Sequence, residues 1–75
     1  MQNYNVFCLR SVEGLCCAVP ESRAVPHFLA GGHWSFGGKL GDIAATPVEF
    51  DDRAAETAVR FNGFYLFQTM DSRFH

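Results

Sequence analysis

The sequence predicts one small α+β domain spanning residues 1–75. It has a mostly antiparallel sheet of three to four strands, one main helix over about 51–62 packed on one face, and a short helical turn near 26–30. Three observations carry this expectation. Short apolar runs at 3–9, 15–19 and 64–67 are bounded by glycine, proline or polar residues, the punctuation of strands. Ala54, Ala55, Ala58 and Val59 recur at helical spacing behind Asp51, a good helix cap. Five of the seven glycines fall between Gly31 and Gly41, around Trp34, where turns or a short strand must alternate.

In chain order, residues 3–9 place Tyr4, Val6 and Cys8 on one face of a strand and Asn5, Phe7 and Leu9 on the other. Both faces are mostly apolar, so the strand belongs in the middle of the sheet. Arg10 to Gly14 reads as a hairpin loop, and Leu15 to Val19 as its second strand. Adjacent Cys16 and Cys17 then point to opposite faces. Pro26 bars a helix from running through Val25, so His27 to Ala30 is limited to a single turn closed by Gly31. His33 to Phe36 reads as a short strand and Gly37 to Gly41 as a flexible turn. Asp42 to Val48 is ambiguous, with Pro47 restricting it to an edge strand or a loop.

Asp51 then opens the main helix. Asp52 and Glu56 place negative charge near its positive end, and Phe50 can pack on Ala55 as a hydrophobic staple. Asn62-Gly63 ends it, with Gly63 in the left-handed cap position. Phe64 to Phe67 is an aromatic strand extending toward Thr69. The segment 70–75 is polar enough to fray. The resulting order is β–β–turn–β–α–β. One helix cannot cover both faces of the sheet in so short a chain, which leaves one face open to a second copy or a partner.

Composition bounds the function. Charged residues make up 19% of the chain and the net charge is −2, with Lys and Arg scattered singly. That pattern gives no basic footprint, so direct nucleic-acid binding is not expected. No run approaches the ~18 apolar residues of a membrane span, and Met1 to Asn5 lacks the basic start of a signal peptide. Residence in the cytoplasm is the expectation. Three cysteines, an odd number, do not form a secreted disulfide framework.

Several constellations bear on chemistry. Cys16, Cys17, His27 and His33 could supply four metal ligands, but zinc sites pair ligands two to four residues apart on one turn. Adjacent strand cysteines diverge, and His27 and His33 are separated by a glycine-rich segment. Cys17 with His27 or His33 and Asp42 could be written as a nucleophile, base and orienting acid, but nothing in the spacing demands it. Gly37-Gly38-Lys39-Leu40 lacks the hydroxyl residue and the following helix of a phosphate loop. No enzyme, cofactor or metal is therefore expected.

The sequence instead suggests a non-enzymatic module that binds another protein or a nucleoprotein complex. Its most concrete form is a stand-alone inhibitor docking on a host macromolecular complex, of the phage anti-host or anti-CRISPR type. Trp34 and Phe36 are the expected anchors, with Glu49, Asp51, Asp52 and Glu56 as an acidic steering group. Alternatives are a small metal-binding or redox accessory protein using Cys16, Cys17, His27 and His33, and a bacterial scaffold protein that acts as a homodimer.

Overall fold

The structure is a computed structural model that describes residues 3–41 and 46–74. Four strands form one antiparallel sheet: β1 (Tyr4–Leu9), β2 (Leu15–Pro20), β3 (Trp34–Leu40) and β4 (Tyr65–Gln68). Their spatial order is β3-β1-β2-β4. The helix α1 spans Asp52–Asn62, and two 3₁₀ turns cover His27–Ala30 and Ser72–Phe74. The small α+β architecture is therefore the one the residue pattern predicts, with the full four strands.

β1 lies between β3 and β2, as its two apolar faces require. Its register pairs Val6 with Ala18, Phe7 with Cys17 and Cys8 with Cys16 on one side. On the other side Phe7 pairs with Phe36 and Leu9 with Trp34. β4 extends the sheet beyond β2 by pairing Tyr65 with Ala18 and Phe67 with Cys16.

The alternation of strand side chains divides the interior into two cores. The helix face gathers Tyr4, Val6, Cys16, Ala18, Leu40, Phe50, Ala55, Val59, Phe67 and Phe74, with Cys8 and Tyr65 against them. The opposite face gathers Cys17, Val19 and Leu29, with Phe7, Trp34 and Phe64 alongside. Cys16 and Cys17 thus enter different cores, as a pleated strand demands.

Local chemistry explains where α1 begins and ends. Asp51 accepts hydrogen bonds from the backbone N–H groups of Arg53 and Ala54 at 2.9 and 3.1 Å. Gly63 closes the helix at φ 85°, and its N–H donates to the Val59 carbonyl at 2.9 Å. Phe50, just before the cap, is buried in the same core as Ala55 and meets Tyr4, Tyr65 and Phe67 edge-on at 5.1–5.3 Å. Only Ala55 and Val59 of the alanine-rich stripe are buried. Their small side chains let the helix lie close over β2 and β4. No helix among the described residues is long and apolar enough to cross a membrane.

Three segments differ from the sequence expectation or fall outside it. Gly37 to Leu40 do not form a flexible turn; they continue β3. The register between β1 and β3 shifts at Val6/Phe7, so Gly37 is an extra residue in a bulge. A Cβ at Gly37 would lie 2.6 Å from Cys8 Sγ and 3.3 Å from the Phe74 ring, and Gly38 sits at φ 134°. Glycine therefore serves strand continuity here, and Leu40 anchors the far end in the core at 1% exposure. Within the ambiguous stretch from Asp42 to Val48, residues 42–45 lie outside the described residues. Thr46 to Val48 carry no strand, and the Phe50 N–H donates to the Pro47 carbonyl at 3.0 Å.

The third difference is the tail. Asp71 binds Arg73 through a guanidinium–carboxylate pair, and the Phe74 N–H donates to the Asp71 carbonyl at 3.1 Å. This turn seats Phe74 against Gly37 and Gly38 at 3% exposure. The polar residues that suggested fraying form the turn, and the aromatic they carry closes the helix-face core above β3.

Phe74→Ala is expected to lower stability by about 3–5 kcal/mol in urea denaturation, the usual cost of emptying a buried aromatic site. Gly37→Ala is expected to cost about 1–3 kcal/mol through the forced approach to Cys8. A midpoint unchanged by Phe74→Ala would put the tail back on the surface.

Candidate functional site

The sheet face opposite α1 presents several apolar side chains to solvent, and the most exposed apolar side chains, Val48, Phe61 and Met70, lie off it. Following the register across the four strands, Phe36, Phe7, Cys17 and Leu66 stand in one row, one residue from each strand. With strands about 4.8 Å apart, such a row spans about 14 Å. Cys17 is fully buried in its centre, while Phe36 at one edge is 58% exposed and Leu66 at the other is 49% exposed.

The cover over this face is the 3₁₀ turn His27–Ala30, part of the connection that carries the chain from β2 to β3. These two strands are parallel to one another and separated by β1, so their connection must cross one face. Leu29 is driven into the core with Cys17 and Val19. Phe28 lies above, its ring edge-on to Trp34 at 5.8 Å and to Phe64 at 5.0 Å. Phe28 itself remains 43% exposed. Phe36 packs edge-on against Phe7 at 5.7 Å. A four-residue turn cannot roof a four-stranded sheet, so aromatic and aliphatic side chains remain open at both flanks.

Charge is nearly absent from this face. Among its strand residues the charged one is Lys39, set opposite Asn5 and ion-paired with Glu21 at the rim. That pairing holds the Glu21 carboxyl below its ordinary range. The centre is consequently apolar and the rim close to neutral.

The structure separates the residues singled out from the sequence. Trp34 and Phe36 lie on this face, Trp34 half-buried beneath Phe28 and Phe36 exposed. Glu49, Asp51, Asp52 and Glu56 belong to α1 and the segment leading into it, on the other side of the sheet. The acidic residues also have separate tasks. Glu49 accepts hydrogen bonds from the Thr69 hydroxyl at 2.8 Å and from the Met70 N–H at 3.2 Å, fastening the end of β4. Asp51 is the helix cap. Asp52 and Glu56 lie near Tyr4, whose hydroxyl is pushed above its ordinary pKa of 10.0 by burial first and then by these two carboxylates. Glu56 also lines a recess of about 220 Å³ with Tyr4, Arg23, Val59 and Arg60. Arg23 and Arg60 therefore lie beside the Glu56 carboxylate.

The four proposed metal ligands do not converge either. Cys16 is buried in the helix-face core and Cys17 in the opposite one. Among the described residues no three His, Cys, Asp or Glu side chains come together in a metal-binding group.

Two members of the open face, Phe28 and Leu66, are not among the residues expected from the sequence to bind a partner. The signal for Leu66 was present, because alternation along residues 64–67 puts it with Phe64 on one face. Phe28 gave none, because its placement depends on where a distant connection crosses the sheet.

The Glu49 carboxyl is held below its ordinary 4.5, chiefly by the Thr69 hydroxyl. A lowered folded-state value means that the stabilisation is present above pH 4.5 and is lost as pH falls through the folded value below it. Glu49→Gln is accordingly expected to flatten the acid limb of the stability profile below pH 4.5, measured by urea midpoints at successive pH values. Equal acid limbs would remove Glu49 from the fold's hydrogen bonding. Asp51→Ala is expected to cost about 1 kcal/mol at neutral pH through loss of the cap.

Compared with known proteins, the chain matches no protein-family model, no curated protein and no solved structure.

Proposed function

We propose that this chain is a non-catalytic protein-binding module that docks through the sheet face opposite α1. Its concrete form is a small stand-alone inhibitor seated on a larger host assembly, of the phage anti-host or anti-CRISPR type. The observation that carries the docking face is the row from Phe36 to Leu66, with both ends about half exposed on a face nearly free of charge. Exposed aromatics beside an apolar centre are the usual anchors of protein interfaces, and a neutral rim excludes little by repulsion. The body measures 29 × 25 × 18 Å, small enough to sit within a groove of a larger assembly.

The anchors on this reading are Phe36, Leu66 and Phe28. Trp34 supports them from beneath, and because it packs on the Cys17–Val19–Leu29 core its truncation would cost stability as well as surface. The acidic residues lie on the far side of the sheet and would steer only a partner that wraps around the domain.

The test is a Phe36→Ser/Leu66→Ser variant compared with the unaltered protein. Both are immobilised, a partner is captured from a host lysate and identified, and its affinity is then measured with purified components. Loss of two anchors is expected to weaken binding by about 30-fold or more, with the thermal midpoint little changed. Equal affinity would remove this face from the function. A stable dimer of the unaltered protein that becomes monomeric in the variant would assign the face to a second copy.

A further inference from the structure

A second feature, independent of the docking face, lies in the helix-face core beside the hairpin loop. Cys8 and Cys16 are direct cross-strand neighbours on β1 and β2, with their Sγ atoms 3.8 Å apart. Both are free thiols, Cys8 half-buried and Cys16 buried.

The type of pairing can be read from the ladder. The Glu21 N–H donates to the Asn3 carbonyl at 2.9 Å, which makes Asn3 opposite Glu21 a hydrogen-bonded pair. Antiparallel pairs alternate, so Tyr4–Pro20, Val6–Ala18 and Cys8–Cys16 are non-hydrogen-bonded pairs. In such pairs the Cα atoms approach to about 4.5 Å and the side chains stand closest, within the range a disulfide can span. Rotation of two side chains is enough to close the remaining gap. Cys8 Sγ lies against the bulge residue Gly37, where a side chain would crowd it, since any Cβ there would lie 2.6 Å from the sulfur. The hydrogen bond that Cys16 gives to the Gly14 carbonyl is long, at 3.6 Å, and is a weak one to release.

We propose that Cys8 and Cys16 are an oxidation site that closes to a cross-strand disulfide, with hydrogen peroxide as the oxidant. Cys8 reacts first because it is the more accessible thiol, and a small oxidant can reach it. Its thiolate attacks one peroxide oxygen and breaks the O–O bond, giving a Cys8 sulfenic acid and releasing hydroxide, which takes up a proton to become water. The Cys16 sulfur then attacks Cys8 Sγ, loses its own proton and displaces the sulfenic oxygen as a second water. Two thiols are oxidised to one disulfide and one peroxide is reduced to two waters. Burial holds both thiols protonated at neutral pH, Cys16 up to about 12, so the first step is slow and is best followed at mildly alkaline pH.

The experiment uses the full chain carrying Cys17→Ala. Tryptic cleavage after Arg10 and Arg23 puts Cys8 on one peptide but leaves Cys16 and Cys17 together on the next, so removing Cys17 makes the partner unambiguous. The folded protein is exposed to hydrogen peroxide at several protein concentrations, digested without reduction and analysed by mass spectrometry. The expected product is the Cys8 peptide joined to the Cys16 peptide within one chain, two hydrogens lighter, at a rate independent of protein concentration. Cys16→Ala, with Cys17 retained, is expected to abolish the link and let Cys8 proceed to sulfinic acid, and a chain in which Cys17 took over the bridge would overturn the pairing. Three other outcomes would also overturn it: thiols still free after an exposure that oxidises the urea-unfolded chain, a sulfinic acid on Cys8 with Cys16 intact, or a disulfide joining two chains.

Discussion

The apolar character of both faces of β1 is the constraint from which the architecture follows. Tyr4 and Val6 project to one side of the sheet and Phe7 to the other, so neither side can be left wholly to water. Among the described residues one helix is long enough to cover a face. That helix, together with Phe74, closes the first core. The second core must make do with the β2–β3 connection, and its 3₁₀ turn covers the middle alone. The exposed flanks around Phe36 and Leu66 are the remainder left when one sheet needs two covers and the chain supplies about one and a half.

The helix-face core shows how separate local devices converge. Phe50 meets three aromatic rings edge-on immediately before the cap, so the direction in which the chain enters α1 is set by the same side chain that fills the core. Glu49, one residue earlier, ties that entry to Thr69 and Met70 beyond β4. Thr69 in turn donates its backbone N–H to Gly14 in the hairpin loop and receives the Asp71 N–H on its hydroxyl. Helix start, last strand and tail are linked through this one polar path, and the tail returns Phe74 to the core.

Much of this was legible in the residues. The caps at Asp51 and Gly63, the break imposed by Pro26, the central place of β1 and the divergence of Cys16 from Cys17 all follow from rules that act within a few residues. What was not legible depends on distant contacts. Gly37 and Gly38 look like a turn because glycine commonly makes one. Only the partner strand shows that they form a bulge fitted against Cys8 and Phe74. Phe74 looks like part of a polar tail until the core that receives it is assembled. The site divides the same way. Phe36 was recognisable as an exposed aromatic, but sequence proximity hides the sheet that separates the four acidic residues from Trp34. Their hydrogen bonds show that Glu49 and Asp51 already serve the fold.

The bulge in β3 also bears on how copies of this protein meet. A sheet with two free edges is a template on which further strands can add, and long, flat edges are where runaway association begins. Here one edge is β4, only four residues long. The other is β3, broken in register at Gly37 and carrying Lys39 in an ion pair with Glu21. Neither edge offers a regular ladder for another strand to zip against. A short edge strand, and a bulged one carrying a paired lysine, are devices that blunt sheet edges against edge-to-edge pairing, and this domain has both beside its apolar face.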